Sequence, residues 1–449
     1  MTATTRTPLT AAQRLLATGL VLGVTLVAFE LTAIVTAMPT ITDELGGTSL
    51  YGLAVAVYTL ANMVALVAAG ELADRRGPVL PYVASISTFV VGLLVAAWAP
   101  SMVWVVVGRT LQGAGTGGLQ PIAYTLVQRA FPEDRRPTMY AILSAGWVLP
   151  SLFAPGLSGW VVDSFGWRWV FLGIIPFAVA VVVMVVQPMR RYGPTDPAAT
   201  DTRMPHAVAA AIGVGAFCTG VQVANPLLAV AVALAGVALA VPALRVLLPA
   251  GVGRALPGLP AIAMCRILAT AAFLGADSFI PLAADRIHGA RPLVQGFVII
   301  GAAVSWTIGQ WVRTRRPGRS PAAAVRTGFL VLTLGLVLCF PVLWDGWPLW
   351  ATFLGWSVGG LGMGLLYNPS TVATMSYASP GNEGRTSSVI SLSDALGFSV
   401  MGGIGGATVA VADRHGSGIP LAIGVNIGIA VTLTIVGAVV SRRIRSAAV

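Results

Sequence analysis

Five ionisable residues lie deep inside long apolar runs, away from the run ends: Glu30, Arg109, Arg266, Asp277 and Asp394. A charge at membrane depth is costly, so each of these residues is a candidate for function before any fold is considered. A carboxylate there can carry a proton when neutral and attract a cation when ionised. Burial disfavours its charged form and a nearby arginine favours it, so a moving arginine can change its protonation. These residue types suit proton coupling. No serine–histidine–acid set, phosphate loop or metal-ligand cluster accompanies them. The sequence therefore argues against an enzyme, a metal site and ATP as energy source.

The elements that must hold these residues are helices. The 449 residues are 56% hydrophobic and only 10% charged, with a mean hydropathy of +0.84. A soluble chain carries about 25% charged residues. Helices satisfy that much backbone in lipid, so an all-α integral membrane protein is expected. Apolar runs fall at 15–37, 51–69, 79–98, 103–126, 141–162 and 169–186. After a polar linker, a pair follows at 207–223 and 226–248, and then runs at 261–284, 293–311, 321–343, 347–374, 384–411 and 418–440. The first run is too long for a signal-peptide core. These runs predict 14 transmembrane helices in three parts: a six-helix bundle over 1–186, a linker with two extra spans over 187–260, and a second six-helix bundle over 261–449.

All 27 basic residues are arginine. With both termini cytoplasmic, 21 arginines fall in inner segments, among them Arg6, Arg315, Arg316 and Arg319, and 4 in outer loops. This bias follows the positive-inside rule and accounts for the net charge of +11 without nucleic acid. The arginines orient the protein and meet anionic lipid. Cys218, Cys265 and Cys339 all sit in apolar runs and imply no disulfide framework.

Depth and face sort the embedded charges. Glu30 is about 16 residues into the first run, roughly 24 Å along a helix. It shares a face with Gly19, Gly23, Ala33 and Ala37, so it points into the bundle. Arg109 lies at a similar depth, within pairing reach. Its face carries Gln112, Thr116 and Gln120, a polar stripe expected to meet water or substrate. Asp277 sits as deep in the ninth run as Glu30 does in the first, and shares a face with Arg266 and Thr270. Asp394 lies near the midplane, where cationic substrate or a pairing arginine would reach it. Trp356, Met363 and Tyr367 form a stripe at helical spacing. With Trp147, Trp306 and Phe398 they are candidates for a substrate wall, although such stripes more often pack.

Two further motifs concern movement. Gly70 to Gly77, with Asp74, Arg75 and Arg76 between, forms a charged turn after the second run. In the fifth run, Pro150 and Pro155 permit bends, while Gly146, Gly156 and Gly159 permit close helix approach.

The order Gly-x-Leu-x-Asp-Arg-x-Gly in that turn resembles the loop between helices 2 and 3 of the major facilitator superfamily. Phe29-Glu30-Leu31-Thr32 through Met38-Pro39 resembles the helix 1 motif of its fourteen-helix drug:proton antiporter branch, which has Asp where this chain has Glu30. Gly108-Arg109-Thr110-Leu111-Gln112-Gly113 resembles the helix 4 motif, whose arginine is linked to proton transfer. Gly146 through Ala154-Pro155-Gly156-Leu157-Ser158-Gly159 resembles the helix 5 antiporter motif, with Ala154 and Ser158 replacing glycines. Gly166-Trp167-Arg168-Trp169 resembles the start of helix 6.

The resemblance implies two six-helix bundles plus two extra central helices. It also implies a proton-coupled exporter of small amphipathic or cationic molecules, driven by the proton gradient with no cofactor. Such a protein is expected as a monomer, multi-pass in a bacterial plasma membrane. A proton-coupled importer, a lipid or metabolite exporter, and a non-transporting scaffold or sensor are the alternatives. The turn at Asp74 is expected at an inner gate, its charge facing the N-terminus of the helix that begins near Arg385. Arg75 or Arg76 is expected to pair with Glu133 or Asp134.

The topology is open to direct measurement. Reporter fusions at Thr195 and Arg254 should both report cytoplasm and a fusion at Asn225 the outside. A cytoplasmic signal at Asn225 lowers the span count to twelve.

Overall fold

The computed structural model describes residues 7–47, 50–196, 202–223, 225–314, 320–415 and 418–445. Arg6, Arg315, Arg316 and Arg319 lie outside the described residues. The described chain is all-helical, without strands. In order the helices are α1 Ala11–Leu45, α2 Tyr51–Arg76, α3 Val79–Ala97, α4 Met102–Thr116, α5 Leu119–Ala130, α6 Arg136–Ala145, α7 Val148–Phe165, α8 Arg168–Leu172 and α9 Ile175–Met189. There follow α10 Met204–Gly220, α11 Pro226–Leu247, α12 Leu259–Arg286, α13 Pro292–Thr314, α14 Pro321–Cys339, α15 Leu349–Met375, α16 Glu383–His415 and α17 Ile419–Val440. Ten helices among the described residues are long and apolar enough to cross a membrane by length and composition.

The chain forms two compact units. One comprises Met1–Ala211 with Ala378–Ser391, the other Ile212–Tyr377 with Leu392–Val449. The start of α16 therefore belongs with the first unit.

Local chemistry sets the helix ends. Thr10 and Gln13 cap α1 reciprocally, with Thr10 Oγ1 accepting from Gln13 N at 3.2 Å and Gln13 Oε1 accepting from Thr10 N at 2.9 Å. Asn225 Oδ1 takes the N–H groups of Leu227 and Leu228, and Pro226 lacks the N–H that would go unbonded.

Three expected single helices are broken. The run at 103–126 splits into α4 and α5 at Gly117-Gly118. Gly117 presses on α2, where a Cβ would come 2.5 Å from the Asn62 carbonyl oxygen. The run at 141–162 splits into α6 and α7 at Gly146-Trp147. Pro150 then falls in the first turn of α7, where a missing N–H costs nothing, so only Pro155 interrupts a helix. The sixth run splits into α8 and α9. Conversely, α1 runs on through Pro39, beyond the expected end at 37.

Glycine sets the spacing inside each unit, and it does so in one register. Counting from Met102, the first residue of α4, Gly108, Gly113, Gly115 and Gly117 are positions 7, 12, 14 and 16. Counting from Leu349, the first residue of α15, Gly355, Gly360, Gly362 and Gly364 are the same four positions. Their contacts repeat too. Gly113 rests on the Tyr58 carbonyl of α2 and Gly360 on the Ala302 carbonyl of α13. Gly115 meets Phe89 of α3, and Gly362 meets Leu332 of α14. The fourth helix of each bundle thus lies backbone-to-backbone against its second and third. By contrast, nothing among the described residues comes within 4 Å of a Cβ at Gly156 or Gly159, so the close approach expected there is not made. Gly146 is approached, with Thr25 Oγ1 3.2 Å from its Cβ position.

Overpacking such a crossing costs about 1–3 kcal/mol. Gly113→Val and Gly360→Val should each lower the melting temperature in detergent, while Gly156→Ala should leave it unchanged. Equal behaviour of all three would refute the glycine crossings.

Candidate functional site

In the first unit, Arg109 of α4 donates through Nη1 to Glu30 Oε1 of α1 and, at 2.6 Å, to Gln112 Oε1. Glu30 is 0% and Arg109 3% exposed, so the pair is sealed from solvent. The guanidinium lies over the Tyr58 ring, 4.2 Å from its centroid, where a cation is attracted by the ring face. Tyr58 Oη and Thr116 Oγ1 are hydrogen-bonded at 2.8 Å, and Asn62 donates to Thr116 at 3.2 Å. Gln112 spans to α3 by donating to the Gly92 carbonyl at 3.2 Å. Glu30 Oε2 is buried without a hydrogen-bond partner among the described residues. Gln112 and Thr116, expected to face water or substrate, are thus enclosed, because the glycines of α4 draw α2 and α3 over them, whereas Gln120 lies on α5 and is half-buried. Gln120 bonds Tyr124 Oη at 2.8 Å.

The second unit carries a different arrangement. Arg266 of α12 grips Asp394 of α16 with both Nε (3.1 Å) and Nη2 (2.5 Å). Its Nη1 donates to Thr371 Oγ1 (2.7 Å), Ser370 Oγ (3.1 Å) and the Tyr367 carbonyl (3.3 Å). Tyr367 Oη donates to Asp394 at 2.8 Å, and its ring lies 4.0 Å under the guanidinium. Asp277 of α12 is not in this cluster. It accepts from Trp356 Nε1 at 2.8 Å. Trp356 stacks on Phe273 at 4.8 Å, and Trp306 meets Phe273 edge-on at 5.1 Å and Tyr367 at 5.2 Å.

Trp356 and Met363 are fully buried in the core of this unit, which makes them packing residues as much as a wall. Trp147 is 38% and Phe398 44% exposed.

A third cluster surrounds the charged stretch, which is not a turn: Gly70 to Arg76 complete α2, and the chain turns only at Gly77. Asp74 accepts from the backbone N–H groups of Gly384 (2.8 Å) and Arg385 (3.0 Å), so its charge meets the α16 N-terminus. Gly70 allows this by lying against Gly384 and Ser388. Ser388 Oγ donates to the Leu66 carbonyl at 2.8 Å, and Thr125 and Ser387 hydroxyls meet at 3.0 Å. Arg129, at the end of α5, was not singled out from the sequence. Its Nη2 binds Asp74 (3.0 Å), Glu383 (3.1 Å) and Thr195 Oγ1 (2.9 Å). Its signal was a lone arginine closing an apolar run, indistinguishable from an orientation charge. Arg75 instead reaches Glu71 at 4.0 Å, and Arg76 is exposed. Asp134 accepts the Thr7 N–H at 2.9 Å, and that bond holds its carboxyl below the usual range. Gly77 adopts φ +79° against Gly193 and Pro194, a conformation that favours glycine.

Ten helices long and apolar enough to cross a membrane, with ion pairs buried at mid-helix, make the described chain a multi-pass membrane protein in architecture. The family model of the Major Facilitator Superfamily matches residues 20–402, and the chain belongs to that superfamily. It is 31% identical over 183 residues to the multidrug transporter protein MdtP of Bacillus subtilis (strain 168). That match covers 41% of this chain and 34% of the relative, so the chain spans about a third of that protein's length. It is 28% identical over 419 residues to a probable multidrug-efflux transporter of Mycobacterium tuberculosis (strain ATCC 25618 / H37Rv), with 88% of each covered. Among solved structures, the human organic anion transporter MFSD10 (TETRAN) superposes with a TM-score of 0.71 at 14% identity, covering 96% of this chain and 100% of that one. The E. coli fucose:proton symporter FucP gives 0.63 at 13%, covering 96% and 98%. These two show the shared fold.

Removing one partner of a buried ion pair costs about 3–5 kcal/mol. Arg129→Leu should therefore destabilise the protein strongly, leaving Asp74 and Glu383 without their arginine, whereas Arg76→Leu should have little effect. Comparable melting temperatures for the two variants would show that the cluster does not depend on Arg129.

Proposed function

We propose that this chain is a proton-coupled secondary exporter of small amphipathic or cationic molecules. It works by alternating access, through fourteen spans with both termini in the cytoplasm of a bacterial cell. The observation that carries the reading is the sealed Glu30–Arg109 pair with one carboxylate oxygen unpartnered. Burial penalises charge on Glu30, and the guanidinium offsets that penalty only while it stays close. A proton on Glu30 removes the attraction and frees Arg109, while its loss restores the pair. The two protonation states therefore favour different positions of Arg109, and coupling requires such a difference. The efflux names of the relatives support outward transport.

The cluster at Asp74 fits the role of an inner latch. The bonds of Asp74 to the α16 N-terminus and of Arg129 to Glu383 separate if α2 and α5 move away from the start of α16. The hydrogen bonds and the fit of Gly70 against Gly384 are short-range, so the latch is either engaged or released.

Glu30→Gln keeps the shape and removes the proton site. It should abolish accumulation against a gradient in vesicles with an imposed pH difference, while downhill exchange of substrate continues. A variant that still concentrates substrate would place the proton site elsewhere.

A further inference from the structure

The register shared by α4 and α15 identifies a pair of equivalent positions with different chemistry. Arg109 is the eighth residue of α4 and Trp356 the eighth of α15. Each meets a carboxylate on the first helix of its bundle. Glu30 is residue 20 of α1, and Asp277 is residue 19 of α12. The acid is therefore repeated in both units, but its partner is a guanidinium in one and an indole in the other.

Among the described mid-helix acids, Glu30 holds Arg109 and Asp394 holds Arg266. Asp277 makes no ion pair among the described residues; its partner is the neutral Trp356 N–H. An indole satisfies one lone pair but brings no positive charge. Asp277 is half-buried, and the Trp356 N–H reaches only one of its two carboxylate oxygens. Trp356 stacks on Phe273, and half-buried Trp306 meets Phe273 edge-on, so the indole that holds Asp277 is part of an aromatic cluster. An acid lacking a counter-charge, set among aromatic rings, suits a weakly hydrated monovalent organic cation. Asp394 is less suited, because Arg266 already occupies both its oxygens.

We propose that Asp277, positioned by Trp356, is the counter-ion for an organic cation bound within the second unit. This deepens the export reading and rests on it for the cation being cargo.

The test uses purified, detergent-solubilised native protein and calorimetric titration with tetraphenylphosphonium, with tetraphenylborate as its size-matched anion. Native protein should bind the cation at least about ten-fold more tightly than the anion. Asp277→Asn should weaken the cation at least about ten-fold and leave the anion unchanged, as expected when one partner of a desolvated charge pair is removed. Asparagine keeps an oxygen for the Trp356 N–H, so the aromatic frame is retained. The proposal is overturned if native protein does not bind the cation, if it binds both ions equally, or if Asp277→Asn keeps cation affinity within about two-fold. Should the variant not purify as a single species, the cation–anion comparison on native protein decides. No gradient enters the measurement. Cation binding through Asp277 without pH-driven accumulation would therefore defeat the export reading and leave this site standing.

Discussion

An ionised group inside a low-dielectric bundle needs compensation within a few ångströms, and that need arranges the charges of this chain. Glu30 has Arg109, Asp394 has Arg266, and Asp74 has two backbone N–H groups and Arg129. At the end of α1, Glu44 bonds both Arg168 (2.7 Å) and Trp167 Nε1 (2.8 Å), even though Arg168 is well exposed. The helices supply these partners from distant parts of the sequence. The ion pair at Glu30 joins residues 79 positions apart, and the one at Asp394 joins residues 128 apart.

Such pairing is possible only where backbones approach closely, and the glycine register of α4 and α15 provides this. A side chain at Gly113 would push α2 away and draw the Tyr58 ring off Arg109. One at Gly360 would do the same to α13 and Trp306. The packing that builds each unit is therefore also what encloses its charges, and small residues at the crossings stand in for the hydrophobic drive that lipid does not provide.

The fold class was legible because composition and run length alone exclude soluble folds and because arginine placement is so uneven. Glu30 with Arg109, and Asp74 against the α16 N-terminus, could be reached by depth and motif. Arg129 could not, since nothing in sequence separates a latch arginine from an orientation arginine. The helix breaks at Gly117-Gly118 and Gly146-Trp147 carry no proline or charge run to mark them, and glycine is also common within membrane helices. The shared pattern Gly-x-x-x-x-Gly-x-Gly-x-Gly at 108–117 and 355–364 was available in the sequence. Its meaning came only when the structure placed Arg109 and Trp356 at the same position within it.

The two arginines also differ in how firmly they are held, and this bears on which pair can switch. Arg266 donates to both oxygens of Asp394, two hydroxyls and a carbonyl. Hydrogen bonds to charged groups contribute about 1.5–3 kcal/mol each, so releasing Arg266 means replacing several of them at once. Arg109 donates to one carboxylate oxygen and one amide oxygen, and Glu30 retains a second oxygen with no donor. A coupling element must lie within reach of both its states at the cost of a single proton. The sparsely bonded pair meets that condition, and the densely bonded one serves better as a fixed tie between α12 and α16. The difference follows from the side chains around each guanidinium: α15 presents the Ser370 and Thr371 hydroxyl oxygens as acceptors to Arg266, where α4 presents only the Gln112 amide oxygen to Arg109.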